Sequence, residues 1–102
     1  MTVSTDGDRS TVALRGELDL SGVDRARQAI EQAETAESPL LVLDLSELEF
    51  IDSTGLEVML RAARRAHDSG RRLVVARPSH YVRRLLEMTA IDQSLDIVED
   101  VV

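Results

Sequence analysis

Two runs of consecutive apolar residues, at positions 40–43 and 73–76, constrain the fold of this chain more than any other feature. A strand with one face in water alternates apolar and polar residues, whereas an uninterrupted run is typical of a strand that is covered on both faces. A segment with apolar residues at three- and four-residue steps follows each run, and this spacing predicts an amphipathic helix. Buried strands that alternate with helices indicate a parallel sheet in an α/β domain.

Three amphipathic helices are predicted. The first begins after Ser21, a residue type that is favoured at the N-cap position, and the third is capped by Ser79 in the same way. The second opens at residues 52–55 and stops before Gly70, because glycine is favoured just past a helix end. The apolar stripes are Val23, Ala26, Ala29, Ile30 and Ala33 in the first helix, Leu56, Met59, Leu60, Ala63 and Ala66 in the second, and Val82, Leu85, Leu86 and Met88 in the third.

Further strands are predicted at both ends of the chain. Residues 2–5 and 11–14 flank the segment 6–8, whose Asp-Gly pair favours a tight hairpin, and residues 95–98 form a last strand candidate. The predicted order is β-β-α-β-α-β-α-β. We therefore expect a single α/β domain over residues 1–102, with a mixed sheet of four or five strands, an N-terminal antiparallel hairpin and helices packed on the sheet.

The charge balance argues against several classes of partner. The chain carries 12 basic and 19 acidic residues, a net charge of −7, and its aromatic content is 2%. A phosphate backbone or an anionic membrane would repel this surface, and aromatic platforms for stacking bases are lacking. No apolar run approaches the roughly 20 residues of a membrane span, and residues 1–10 are too polar for a signal peptide. We expect a cytoplasmic protein without direct nucleic-acid or membrane partners.

The sequence offers no convincing catalytic constellation. The two histidines, His67 and His80, are expected to be solvated surface residues, because no third group is available to orient either of them. Ser53 is not in a Gly-x-Ser-x-Gly elbow, since Ile51 stands where the first glycine belongs. The five glycines are scattered and form no phosphate-binding loop. We therefore expect a protein that binds another protein, is not an enzyme and needs no cofactor.

Metal binding has little support. The chain has no cysteine, which excludes disulfides, thiolate zinc sites and cysteine nucleophiles. Asp19, Asp44 and Asp52 could hold a hard cation if folding brought them together, but scattered surface carboxylates are the simpler interpretation. We expect no metal site.

The start of the second helix permits two interpretations of Ser53. Serine and aspartate are good caps, so Ser53 could do no more than begin the helix. Alternatively, a phosphoryl group on Ser53 would meet free backbone N–H groups at the positive end of the helix dipole and would add about −1.5 to −2 charges. With Asp52, and with Asp19 if the loops converge, it would expel a docked partner by repulsion. Gly55 would let a partner come close to the backbone.

The chain resembles the anti-sigma factor antagonist family, whose fold is the STAS domain, over nearly its whole length. The segment 16–19 (Gly-Glu-Leu-Asp) looks like the end of the family's second strand, and 41–46 (Leu-Val-Leu-Asp-Leu-Ser) looks like its central strand. Residues 50–56 (Phe-Ile-Asp-Ser-Thr-Gly-Leu) look like its signature, and Gly70 with 73–75 matches the next turn and strand.

This resemblance implies a phosphorylation switch. Ser53 takes the place of the family's phosphoacceptor, which a cognate anti-sigma factor with serine-kinase activity phosphorylates. The unphosphorylated antagonist binds the anti-sigma factor and frees a sigma factor for transcription, and a serine phosphatase resets the switch. Asp19 and Asp52 match acidic positions beside the site, with expected roles in partner contact and in positioning Ser53. Thr54 places a second hydroxyl next to the acceptor and is an alternative site of modification.

Other roles within and outside the family stay open. The domain could be a non-catalytic STAS subunit of a stress-sensing assembly or of a lipid-transport complex. A nucleotide-binding protein or an enzyme is a third hypothesis, without a supporting motif. The family often has a further helix after the last strand; with Val102 as the last residue given, we expect that helix to be a single turn or to be missing.

Overall fold

The computed structural model describes residues 1–88 and 95–100. The predicted order of elements is confirmed. The strands are β1 (Thr2–Asp6), β2 (Arg9–Leu18), β3 (Leu40–Ile51), β4 (Arg72–Ala76) and β5 (Asp96–Val98), and the helices are α1 (Val23–Glu34), α2 (Ser53–Asp68) and α3 (His80–Met88). The end of the chain, where a short last helix was considered, lies outside the described residues.

The strands form one mixed sheet of five, in the order β1-β2-β3-β4-β5. β1 and β2 are the predicted antiparallel hairpin, joined by a two-residue turn in which Gly7 has a φ of +59°, and the other pairs are parallel. Buried residues of all three helices join Leu41 and Leu43 in the main core, whereas Val42 is buried in a second, small cluster. β3 is therefore covered on both faces, as its apolar run predicts.

The helices follow the predicted stripes with some corrections. All five predicted residues of α1 are buried, but Ser21 is not its cap: Gly22 holds the N-cap position without a side-chain hydrogen bond. In α2, Leu60 and Ala63 are only half-buried, and Val58 and Ala62 take their places in the core.

In α3, the Ser79 cap is confirmed by a hydrogen bond, 3.2 Å long, that the backbone N–H of Val82 donates to the Ser79 hydroxyl. Val82 and Leu86 are buried, Leu85 is half-buried and Met88 is exposed.

β3 is much longer than its apolar run, because two irregularities change its register against β2. Ala13 pairs with Asp44 but Arg15 pairs with Glu47, and Gly16 pairs with Leu48 but Glu17 pairs with Phe50. Each shift gives β3 one extra residue, which is the definition of a β-bulge and rotates the side chains that follow. Consequently the buried residues at this end of β3 recur every third position, at Leu45, Leu48 and Ile51.

Within the described residues, no helix is both long enough and apolar enough to cross a membrane.

Candidate functional site

The ends of β2 and β3 bring the predicted site residues together. Leu18 and Ile51, the last residues of these strands, are partners in the parallel register, and the backbone N–H of Asp52 donates to the carbonyl of Leu18 over 3.3 Å. Asp19 and Asp52 therefore follow neighbouring strand ends at one edge of the sheet. The two loops that carry Asp19 and Asp52 therefore converge, as the argument for repulsion by their carboxylates requires.

Asp52 is the cap of α2. Its backbone is extended, and its Oδ1 accepts the backbone N–H groups of Thr54 at 2.9 Å and of Gly55 at 3.3 Å. Its carbonyl accepts the N–H of Leu56 at 3.0 Å, the first hydrogen bond of the helix ladder. Two of the N–H groups that a helix start leaves without partners are thus already occupied by a carboxylate. The expectation that a phosphoryl group would find these groups free is corrected.

The hydroxyl of Ser53 does not stabilise the fold. It is the first residue of α2, its side chain is exposed, and its hydroxyl makes no hydrogen bond to any residue in the described part of the chain. Because Asp52 supplies the cap, the interpretation of Ser53 as a capping residue loses its basis. Thr54, the neighbouring hydroxyl residue, is half-buried.

Gly55 is explained by the chain's own packing. It is buried, and a Cβ at this position would lie 2.5 Å from the carbonyl oxygen of Leu18 and 2.7 Å from the Leu18 Cγ. Both distances are shorter than side chains tolerate, so only glycine lets the first turn of α2 rest on the end of β2. This differs from the expectation that the missing side chain makes room for a partner.

Asp19 organises the turn between β2 and α1. Its Oδ1 accepts the Ser21 hydroxyl at 2.7 Å and the backbone N–H groups of Ser21 at 3.0 Å and Gly22 at 3.2 Å. The hydrogen bond from the Ser21 hydroxyl, opposed by some desolvation and helped by the two backbone groups, holds the pKa of Asp19 below its usual value. Asp19 is therefore ionised at neutral pH and keeps this turn in a defined conformation.

Two large apolar side chains near the ends of β2 and β3 stay at the surface, although no sequence motif marked them as site residues. Leu20, in the turn that Asp19 holds, is 78% exposed, and Phe50, the only phenylalanine, is 39% exposed. The register places Phe50 opposite Glu17 because of the second bulge in β3. The sequence carried one signal for this outcome, since Phe50 and Ile51 are adjacent and two consecutive strand residues cannot share one face.

Asp44 does not belong to the site. It lies eight residues before Asp52 on β3, and its carboxylate binds the guanidinium of Arg77 at 2.6 Å, which also binds Asp100 at 2.8 Å. Partial burial opposes ionisation of Asp44, but the hydrogen bonds from Arg77 and from the Ser46 backbone outweigh it and lower its pKa. The three carboxylates considered for a cation thus do not converge. Over residues 1–88 and 95–100, no group of three or more potential ligands could hold a metal ion.

Both histidines are surface residues. His67 is in the last turn of α2 and His80 begins α3, and both are exposed, as predicted.

Comparison with known proteins identifies the family. The profile described as "Mlab, STAS domain" matches residues 1–99. An anti-sigma-B factor antagonist of Listeria monocytogenes is 29% identical over 92 residues, which span 90% of this chain and 81% of the relative. An anti-sigma F factor antagonist of Paenibacillus polymyxa is 32% identical over 90 residues, which span 87% of this chain and 77% of the relative.

Solved structures agree with the sequence relatives. An anti-sigma factor antagonist from Mycobacterium paratuberculosis superposes with a TM-score of 0.87 at 25% identity, over 98% of this chain and 85% of that one. The antagonist SpoIIAA, in its unphosphorylated form, shares the fold with a TM-score of 0.78 at 21% identity, over 97% of this chain and 88% of that one. SpoIIAA from Bacillus has also been solved in a phosphorylated form, which matches with a TM-score of 0.71 at 20% identity, over 97% of this chain and 91% of that one.

The fold and the matching profile define a domain of the STAS type, and the chain belongs to the STAS domain family. Within that family, the relatives it resembles in sequence are antagonists of anti-sigma factors.

Proposed function

We propose that this protein is an anti-sigma factor antagonist that is controlled by phosphorylation of Ser53. In its unphosphorylated state it binds a cognate anti-sigma factor in the cytoplasm and so releases a sigma factor for transcription. The anti-sigma factor carries the serine-kinase activity, a serine phosphatase reverses the modification, and the domain itself supplies no catalytic group. The names of the sequence relatives support the antagonist role.

The single observation that carries the proposal is the position of the Ser53 hydroxyl. It is exposed at a sheet edge on the first residue of α2, and Asp52 performs the capping for which a serine is usually present. Because this hydroxyl does not cap the helix, it can enter a partner's active site and accept a phosphoryl group without loss of the fold. The existence of SpoIIAA in unphosphorylated and phosphorylated forms supports such a switch on this fold.

The same geometry supports release by repulsion. A phosphoryl group on Ser53 would add about −1.5 to −2 charges beside the carboxylates of Asp52 and Asp19. A partner that docks on the unmodified edge then meets a larger negative charge. Thr54 is the alternative acceptor, although it is less accessible than Ser53.

A second candidate function has an observation of its own. The matching profile bears the name Mlab, so a non-catalytic STAS subunit of a larger assembly, such as a lipid-transport or stress-sensing complex, is the alternative. In that case Ser53 would be a contact residue and would not be modified.

The decisive experiment is incubation of the purified protein with ATP and each candidate anti-sigma kinase of the same genome, followed by intact-mass and peptide mass spectrometry. One added phosphate that maps to Ser53, absent from Ser53→Ala and retained in Thr54→Ala, is the expected result. A folded wild-type protein that gains no phosphate from any candidate but copurifies with a transport or stress-sensing assembly would establish the alternative.

A further inference from the structure

We propose that a cavity between the C-terminal ends of α1 and α2 binds a small organic carboxylate, with its charge against Arg71 and its apolar chain against Leu41. This cavity lies at the opposite end of the sheet from the phosphorylation site. Ser10 and Leu41 stand near the starts of β2 and β3, whereas Ser53 follows the end of β3. The proposal concerns a separate ligand and does not depend on phosphorylation of Ser53.

The cavity exists because small side chains meet where the two helices end. It has a volume of about 220 Å³, which is the space of about seven water molecules. Four of the side chains that line it are small: Ser10, Ala33, Ser38 and Ala66. The volume is below the range that is usual for drug-sized ligands, so a molecule of a few carbon atoms with one charged group fits, whereas a nucleotide does not.

The charge of the lining is opposite to that of the whole chain. The chain carries a net charge of −7, but the cavity is lined by two arginines and one glutamate. That glutamate, Glu34, is engaged by Arg65, whose Nε donates to its Oε2 at 2.9 Å. Arg71 is left as the positive charge in excess. A ligand with a single negative charge therefore matches the lining.

Arg71 has the donors that such a ligand needs. Its side chain is 25% exposed, and its guanidinium lies 3.5 Å from the carboxylate of Glu37 and 3.5 Å from the carbonyl oxygen of Glu34. Both distances exceed the 2.7–2.9 Å that is typical of a charge-assisted hydrogen bond, and the Glu37 side chain is 78% exposed to screening solvent. A carboxylate in the cavity can accept two parallel N–H groups from the guanidinium, which is the geometry that arginine favours.

A row of three hydroxyl groups supplies a further donor. Ser10 is 1% exposed, and its Oγ lies 2.7 Å from the Ser38 Oγ and 3.2 Å from the Thr5 Oγ1. Three hydroxyls have three protons, and the two hydrogen bonds of the row use two of them. When the row runs from Thr5 towards Ser38, the proton of the Ser38 hydroxyl is available to a ligand. Leu41, the register partner of Ser10, adds an apolar wall beside this donor.

Titration of the full, isotope-labelled chain with sodium butyrate at constant ionic strength, followed by amide chemical shifts, tests the site. Butyramide, which has the same shape without the charge, and inorganic phosphate are the comparison probes. We expect saturable shifts around residues 38, 41, 66 and 71 with a roughly millimolar Kd, and at least tenfold weaker binding of both comparison probes. Shifts that do not saturate, or either comparison probe binding as tightly as butyrate, would overturn the proposal.

Variants show whether the cavity itself is the place of binding. Arg71→Gln should weaken butyrate binding at least tenfold, whereas Arg64→Gln, which removes an exposed arginine of α2 outside the cavity lining, should stay within twofold. Ala66→Leu fills part of the cavity and should abolish binding. Circular dichroism and urea titration establish that each variant is folded, and Arg71→Gln keeps the test valid if Ala66→Leu does not fold. A folded Arg71→Gln variant with wild-type affinity would refute the site.

Discussion

The carboxylate of Asp52 accepts the backbone N–H of Thr54 over 2.9 Å. Because of this hydrogen bond, the residue that caps the helix is not the residue that carries the exposed hydroxyl. The cap of α2 comes from Asp52, whereas the residue between the two partners, Ser53, contributes an exposed hydroxyl. The helix start can therefore be kept intact while the hydroxyl changes its chemical state.

Removal of the cap should cost stability without removing the acceptor. Asp52→Ala should lower the free energy of unfolding by about 1 kcal/mol, because the N–H groups of Thr54 and Gly55 lose their acceptor. Asp52→Asn should retain most of this stability, since an amide oxygen also caps a helix. Urea titration followed by circular dichroism measures both values. Equal losses for the two variants would contradict the capping role.

Removal of the Ser53 hydroxyl should leave the fold unchanged and the partner bound. Ser53→Ala should unfold within about 0.5 kcal/mol of the wild type, because its hydroxyl makes no hydrogen bond in the described part of the chain. It should bind the anti-sigma kinase in the presence of ATP, where the wild type is phosphorylated and released. Isothermal titration of both proteins against the kinase is the measurement, and loss of binding by the Ser53→Ala variant would disprove the docking model.

A negative side chain at position 53 should imitate part of the switch. Ser53→Asp should weaken binding to the anti-sigma factor, but less than the phosphate does, since one carboxylate carries less charge than a phosphoryl group. Ser53→Asn, of similar shape and without charge, is the control. If the two variants bind equally, electrostatic repulsion does not cause release.

An added methyl group at position 55 should disrupt the packing of α2 on β2. Gly55→Ala places its Cβ 2.5 Å from the Leu18 carbonyl oxygen, and we expect a loss of about 1–3 kcal/mol in the free energy of unfolding. Thermal and urea denaturation against Ser53→Ala, two residues away, provide the comparison. A Gly55→Ala variant as stable as the wild type would contradict the explanation of this glycine by close packing.

The pair of Asp44 and Arg77 should make stability depend on acid pH. The pKa of Asp44 in the folded protein lies below its unfolded value of about 3.9, so its contribution is fully present above that value and is lost as pH falls through the folded pKa. Asp44→Ala should therefore be less stable than the wild type at pH 7, and the difference should shrink below about pH 4. Urea titrations between neutral pH and pH 2 measure it, and a difference that is independent of pH would exclude the ion pair as its source.

The sequence by itself determined the order of the elements and the place of the acceptor. Consecutive apolar residues at 40–43 and 73–76, and apolar residues at helical steps in α1, are local patterns whose meaning does not depend on the rest of the chain. The stop at Gly70 and the Ser79 cap are equally local, and the structure has both. The segment 52–55 predicted a helix start with an available hydroxyl, because this pattern is also local.

Only the tertiary structure decided how the site is built, because its decisive features depend on pairing between distant segments. The bulges that leave Phe50 exposed exist only in the register of β3 against β2, and the need for glycine at position 55 comes from the Leu18 carbonyl, 37 residues earlier in the chain. The proximity of Asp19 to Asp52 likewise follows from the adjacency of two parallel strands. Local sequence patterns fix which residues are helical or extended, whereas register and close approach are set by contacts that no local pattern contains.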